Sequence, residues 1–368
     1  MATDGPTLFL GGDVMLGRGV DQILPHPGDP RLWERSVRDA RTYVRLAEAV
    51  NGPIPAPVGF DWPWGDASAV LEQFAPDVRL VNLETSVTSD GDVALGKGVH
   101  YRMSPANLPA LTAAKLDACC LANNHVLDFG RGGLSDTLEA LSQAGVPTVG
   151  AGPTESDAAR PAIVPTVRGR VAVFACGTTT SGIPPSWAAT SDHPGICLLP
   201  DLSDDTAAEV VARVRQLKRS GAIVVLSIHW GSNWGYDVSG SQSRFAHRVI
   251  DGGADVIHGH SSHHPRPIEV YRGRLVLYGC GDLIDDYEGI SGYEHYRDDL
   301  RLLYFVRLEP DGTLVGLRIA VMQARRMRLC PAGPDDREWL RGTLDRVSRD
   351  YGTRIGVDQD GMLRLAQG

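Results

Sequence analysis

The sequence predicts an α/β fold in one large domain over residues 1–368, and three observations carry that reading. Short apolar runs of strand length alternate along most of the chain with stripes of helical period, the pattern of strands and helices packed in layers. The runs end repeatedly in Gly, Asp, Glu, Asn or His, as strands do when their C-terminal ends open onto a cleft. Hydrophobic residues make up 42% and charged residues 22% of the chain, ordinary for a globular protein with a sizeable core and far from the signature of disorder. The formal net charge of −9, with no Lys/Arg-rich tract, argues against nucleic acid and anionic membranes as partners. There is no run of 18 apolar residues and no basic leader before the first apolar stretch, so no membrane span or signal peptide is expected. Six scattered cysteines without CxxC spacing read as reduced, buried thiols, and a cytoplasmic location follows.

In chain order, residues 7–10 read as a strand closed by Gly11 and Gly12 that delivers Asp13 at its end, with a turn or cap role for Asp13 left open. Residues 31–50 set Leu32, Val37, Tyr43, Val44, Leu46, Ala47 and Val50 on one helical stripe. Four prolines and three glycines make 51–65 an irregular loop. Residues 78–83 form a second strand ending in Asn82 and Glu84. The planar fork of Arg102 suits phosphate or carboxylate, which makes it a candidate substrate clamp, a surface ion pair being the alternative. After a helix over 107–116, the stretch 117–133 supplies a third strand whose exit carries Asn123, Asn124, His125 and Asp128, followed by a helix over 134–144. A short strand and turn over 145–152, a strand over 171–176, a Thr/Ser/Pro/Gly-rich binding loop over 178–201, a helix over 205–219, a strand over 222–228 ending in His229, and a helix over 242–251 continue the alternation. Beyond residue 300, a hairpin (300–307 with 314–322) and a charged helix (334–351) close the chain.

The segment 254–287 is the richest. A short apolar run leads into His258, Gly259, His260, Ser261, Ser262, His263 and His264, so four of the eleven histidines fall within seven residues. Neutral imidazole is the commonest metal ligand; a polar loop whose histidines cap backbone groups is the alternative. Asp13, Glu84, Asn124, His125, His229 and His260 each follow an apolar run, and beyond strand ends such residues converge from distant positions. Carboxylate, amide and imidazole together suit Mn, Fe or Zn rather than a calcium cage.

The order GGDVMLGR, VNLETSV, LANNHVLDFG, SIHWG and HGHSSHHPRPIEVYRGRLVLYGCGD resembles the CapA-type proteins of poly-γ-glutamate capsule synthesis, a branch of the calcineurin-like metallophosphoesterase superfamily, over about residues 7–285. The resemblance implies a β-sandwich flanked by helices (αββα), completed by the hairpin and helix of 286–368, with a two-metal site at the strand ends. It makes Asp13 the counterpart of the superfamily's first aspartate and puts Glu84 where a bridging aspartate is usual. Asn124 and His125 match the asparagine–histidine pair, His229 the isolated strand-end histidine, and His260 with His263 the terminal pair. His258 is a further metal or substrate-facing candidate. Met15 stands where a ligand histidine is usual, Glu84 replaces Asp, and Ser261 and Ser262 lengthen the last spacing, so the expected cofactor is one or two divalent ions, Mn, Fe or Zn.

The expected function is a metal-dependent hydrolase acting on a phosphorylated or peptide-like anionic small molecule. Metal-activated water would attack, His125 with Asp128 nearby would protonate the leaving oxygen, and Arg102 and Arg18 would neutralise charge. Two readings stand beside it. One is an accessory protein of γ-glutamyl polymer assembly working with a separate ligase, since the chain has no GxxxxGK[ST] loop of its own. The other is a binding protein that kept the fold without the chemistry.

Overall fold

The computed structural model describes residues 5–366. The first of two large sheets is built on β1 (Thr7–Val14), with β2 (Val78–Leu83) parallel to it and β3 (Ala118–Cys120) parallel to β2. The second runs β4 (Gly169–Thr178), β5 (Ile223–His229), β6 (Val256–His260) and β7 (Arg274–Leu277), each parallel to the next. The chain then returns to the first sheet. There β8 (Asp282–Ile284) pairs in parallel with the end of β1, β9 (Leu300–Leu308) pairs antiparallel with its beginning, and β10 (Leu314–Ala324) pairs antiparallel with β9.

The period-2 alternation of these strands divides the apolar residues between faces. Leu8, Leu10, Val78 and Leu80 meet Val171, Val173, Val225 and Leu275 between the sheets. On the other face of the first sheet, Phe9, Val81 and Leu83 pack with α1 (Arg41–Asn51), α2 (Ala67–Phe74) and α3 (Gly130–Gln143). Phe174, Leu226, Ile228 and Ile257 pack with α4 (Asp204–Lys218) and α5 (Gly240–Asp251). Four layers result, helix, sheet, sheet, helix. Serine caps fix where the second helical layer starts: Ser203 accepts from the Thr206 N–H, and Ser239 and Gln242 form a reciprocal capping box. The C-terminal helix α6 (Pro334–Ser348) starts with proline in its first turn. Among the described residues no helix is long and apolar enough to cross a membrane.

Three expected elements come out differently. The helical stripe over 31–50 is helical only from Arg41; before it the chain folds back, with Leu32 bonded to the Arg38 carbonyl and Ala40 to that of Pro30, because Glu34 is drawn inward to Arg18 and Tyr43. The helix over 107–116 shrinks to Pro109–Thr112 after a 3-10 turn, since the Asn107 side chain is held by Asp21 and the His26 carbonyl. The loop over 178–201 contains two 3-10 turns and two two-residue strands.

β1, β2 and β3 all end at one rim of the sandwich, as do β5 and β6. Between Leu10 and Asp13 the register of β1 against β2 shifts, so that Asp13 stands opposite Asn82. At the same turn Gly12 lets the chain before β8 come close, because a Cβ there would lie 1.7 Å from the Gly281 carbonyl oxygen.

Candidate metal centre

From the first sheet comes Asp13, fully buried; from the second come His229 and His260, facing each other in register at the ends of β5 and β6. One ligand atom from each lies within 4.8 Å of the others, the spacing of donors about 2.0–2.2 Å from a shared ion. Asp13 Oδ1 accepts from Asn82 Nδ2 (2.8 Å), and Oδ2 from the backbone of Ser261 (3.2 Å). Ser261 holds a φ of 105°, left-handed for a non-glycine residue, where the chain leaves β6.

Hydrogen bonds fix the tautomers of both histidines. The Gly11 carbonyl can only accept, so His258 carries its proton on Nε2 (2.8 Å) and leaves Nδ1 bare. The Ser227 hydroxyl donates to that nitrogen (3.0 Å) and in turn accepts from His260 Nε2 (2.8 Å). His260 therefore presents a lone pair at Nδ1. His229 donates from Nε2 to Asn124 Oδ1 (3.0 Å) and likewise presents Nδ1. The two bare nitrogens stand 2.8 Å apart, with Asp13 Oδ1 3.9 Å from that of His260. Two lone pairs at that distance repel unless a positive charge lies between them, and this donor set fits a borderline divalent cation.

The first sheet supplies the other wall. Asn82 Nδ2 also donates to Glu84 Oε2 (3.1 Å), and Asn123 donates to Asn82 Oδ1 (3.0 Å) while its own oxygen accepts from the backbone of His125 and Val126, shaping the turn after β3. Glu84 Oε1 lies 3.9 Å from both His229 Nε2 and His125 Nε2. His125 Nδ1 is bonded to Asp128 Oδ2 (2.5 Å), and Asp128 Oδ1 to Lys97 Nζ (2.5 Å).

Burial, and then the charge of Asp282, pushes the Asp13 carboxyl up to about 7; burial, followed by Asp13 and Asp282, raises Glu84 well above the usual range. Burial holds His229 and His260 well below the ordinary imidazole value and brings His258 and His125 down to about 4. Against the upward push of burial, His125 and Lys97 keep Asp128 below its usual value. Crowded carboxyls that resist ionisation beside neutral imidazoles are relieved by one divalent cation, which favours the carboxylate and uses the imidazole lone pairs.

The structure thus brings Asp13, His229 and His260 together, with Glu84, Asn124 and His125 around them. It separates the others. His258 has both nitrogens committed, to Gly11 and Ser227; it also forms a group with Cys120 and His260, but the Ser227 hydroxyl occupies the middle, 2.9 Å from Cys120 Sγ. His263 is likewise committed, Nδ1 to Asp282 (3.0 Å) and Nε2 to Asn233 (2.9 Å), because the two serines carry it past the β6 exit. The buried guanidinium of Arg18, expected to neutralise substrate charge, is bonded to Asp286 and Glu34 and lies against the Tyr43 and Tyr101 rings. Arg102 packs over Phe129, its nearest carboxylate being Asp29 at 3.9 Å, and among the described residues it makes no hydrogen bond or ion pair with the cluster. Sequence reasoning missed Ser227, Lys97, and the charges of Asp282 on Asp13 and His263. Ser227 carried a signal, since it lies two residues before His229 on the same strand face; Lys97, in an irregular segment, carried none.

A four-layer α/β sandwich with this cluster at its strand ends has a metallophosphoesterase-like fold. Its fold matches that of a 5'-nucleotidase precursor from Thermus thermophilus with a TM-score of 0.50, at 14% identity, over 91% of this chain and 57% of that one. The chain belongs to the bacterial capsule synthesis protein family PGA_cap, whose model matches residues 7–287. A Mycobacterium tuberculosis protein named "Probable polyglutamine synthesis accessory protein" is 55% identical over 98% of this chain and 96% of its own length. The "PGA biosynthesis protein CapA" of Bacillus subtilis is 26% identical over 82% of this chain and 67% of its own.

Proposed function

We propose that this protein is a metal-dependent hydrolase serving polyglutamate-type polymer synthesis, acting on a phosphorylated or peptide-like anionic small molecule. The observation that carries this reading is the pair of bare imidazole nitrogens of His229 and His260, 2.8 Å apart beside buried Asp13. Asp13, His229 and His260 would hold a divalent ion of Mn, Fe or Zn, with Glu84 and Asn124 at its border. When bound, such an ion supplies Lewis acidity and lowers the pKa of a coordinated water toward about 7. His125, neutral and oriented by Asp128 at Nδ1, accepts a proton at Nε2 and returns it to the leaving oxygen. Lys97, bonded to Asp128, places positive charge at the same edge. The test is turnover by the full chain loaded with Mn, Fe or Zn on panels of phosphoesters and γ-glutamyl peptides. Activity lost in His125→Ala and Asn124→Ala supports the reading; equal rates in wild type and both variants with every metal refute it.

The name of the 55% identical relative favours a second reading, an accessory protein that presents substrate to a separate ligase. Co-purification with a ligase by a metal-loaded but hydrolytically inert protein would support it.

A further inference from the structure

Cys176 and Cys197 lie outside the candidate centre. Cys176 is buried near the end of β4; Cys197, half-buried, belongs to the segment that runs beside it, where Leu198 pairs in parallel with Gly177 and Leu199 with Thr178. The Gly177 N–H donates to the Cys197 carbonyl (2.9 Å), and the two sulfurs are 3.3 Å apart. A disulfide is about 2.05 Å long, so the two sulfurs need to approach by a little over an ångström to bond. The Arg213 guanidinium lies 3.7 Å from Cys197 Sγ. The hydrogen bond with Cys176 and this cation favour the thiolate at Cys197, which is also the less buried of the two residues. Nucleophile and resolving thiol are thereby distinguished.

Residues 177–196, between the two cysteines, form one wall of the candidate centre. Thr178 and Ser181 donate to the His229 carbonyl (3.4 and 3.1 Å), Thr180 accepts from the Gly231 N–H (3.0 Å), and Lys97 Nζ lies 5.0 Å from the centre of the Trp187 ring.

We propose that Cys176 and Cys197 are a reversible dithiol–disulfide modification site for small disulfides of the glutathione type, whose cross-link staples the base of the 177–196 loop. The Cys197 thiolate attacks one sulfur of the small disulfide, forming a mixed disulfide and expelling one thiolate. Cys176 gives up its proton, attacks the Cys197 sulfur and expels the second. The pair loses two electrons and two protons in all, and one small disulfide becomes two thiols.

The test equilibrates the full folded chain with graded mixtures of oxidised and reduced glutathione, traps the thiols, and reads intact mass and peptide maps. The expected result is a species lighter by two hydrogens in at least half of the protein, its cross-link joining Cys176 to Cys197 and reverting with dithiothreitol. Cys176→Ser should stop at glutathione on Cys197, whereas Cys197→Ser should leave Cys176 unmodified. Free thiols at both positions in the most oxidising mixture, or cross-links spread over Cys119, Cys120, Cys280 and Cys330, would overturn the proposal. The wild-type measurement decides even where a variant misfolds.

Discussion

Ser227→Ala removes one hydroxyl and, with it, the device that aims His260. In the wild type Ser227 Oγ touches Cys120 Sγ (2.9 Å), His258 Nδ1 (3.0 Å) and His260 Nε2 (2.8 Å), all buried. Alanine leaves the His260 Nε2–H without an acceptor, a buried orphan worth about 1–3 kcal/mol of stability. It also frees the proton to move to Nδ1, where it blocks the lone pair that faces Asp13 and His229. Groups that orient a ligand histidine in this way contribute about 10–100-fold to metal affinity, or about 1.4–2.8 kcal/mol. The assay is competition with a chromophoric chelator for Zn or Mn, with far-ultraviolet circular dichroism confirming the fold. Cys120→Ala, which removes the weakest donor on the same hydroxyl, should stay within about threefold of wild type. A folded Ser227→Ala protein that binds metal within twofold of wild type would refute the relay and the tautomer assignment together.

Arg18→Met strands the Asp286 and Glu34 carboxylates in a buried setting and should cost about 3–5 kcal/mol in chemical denaturation; an unchanged midpoint would show that the ion pairs are not structural. For cation-free protein, Asp13 stays protonated up to about pH 7 when folded but ionises near 3.8 when unfolded, so its contribution to stability falls as pH rises from about 4 to 7 and is level above. His229 and His260, depressed by burial, act in the opposite sense, so the comparison that isolates Asp13 is wild type against Asp13→Asn; the variant should lose up to about 4 kcal/mol of that pH dependence, and parallel curves would exclude the carboxyl as its source. Asp128→Asn keeps the volume between His125, Lys97 and the Tyr101 N–H but loses the charge, and should lower kcat about 10²–10⁴-fold on any substrate the wild type turns over. Saturating Mn or Zn, at about 100 times Kd, should add about 2.7 kcal/mol to wild-type stability and almost nothing to His260→Ala; equal gains would place the ion elsewhere.

Much of this architecture was legible because a strand end is a local signal. An apolar run that stops at Asp13, His229 or His260 announces both the element and the rim at which it ends, and parallel topology brings those rims together. What each side chain does with its second polar atom was not legible. His258 and His260 have the same residue type and the same strand face, yet one is tied to a carbonyl of β1 and the other is left with a free lone pair. Arg18 shows the same limit: its partners Glu34 and Asp286 are brought in from distant positions, and the pull of that ion pair also unwinds the first turns expected of the 31–50 helix. Local periodicity lost to a tertiary contact that no window of sequence contains.

The pairing of β1 sets an order of events for the nascent chain. One edge is matched early, when Val78 and Leu80 emerge to meet Leu8 and Leu10. The other waits for Val306 and Tyr304, opposite Leu8 and Leu10, and for Asp282 opposite Asp13. Until residues beyond 300 leave the ribosome, a strand of alternating buried leucines keeps an open edge, an invitation to pair with the wrong partner. Folding dominated by so distant a closure is expected to be slow. A fragment cut at residue 287, the end of the family match, would carry Asp13, His229 and His260 and still lack the strand that covers β1, so it should aggregate rather than report on the chemistry.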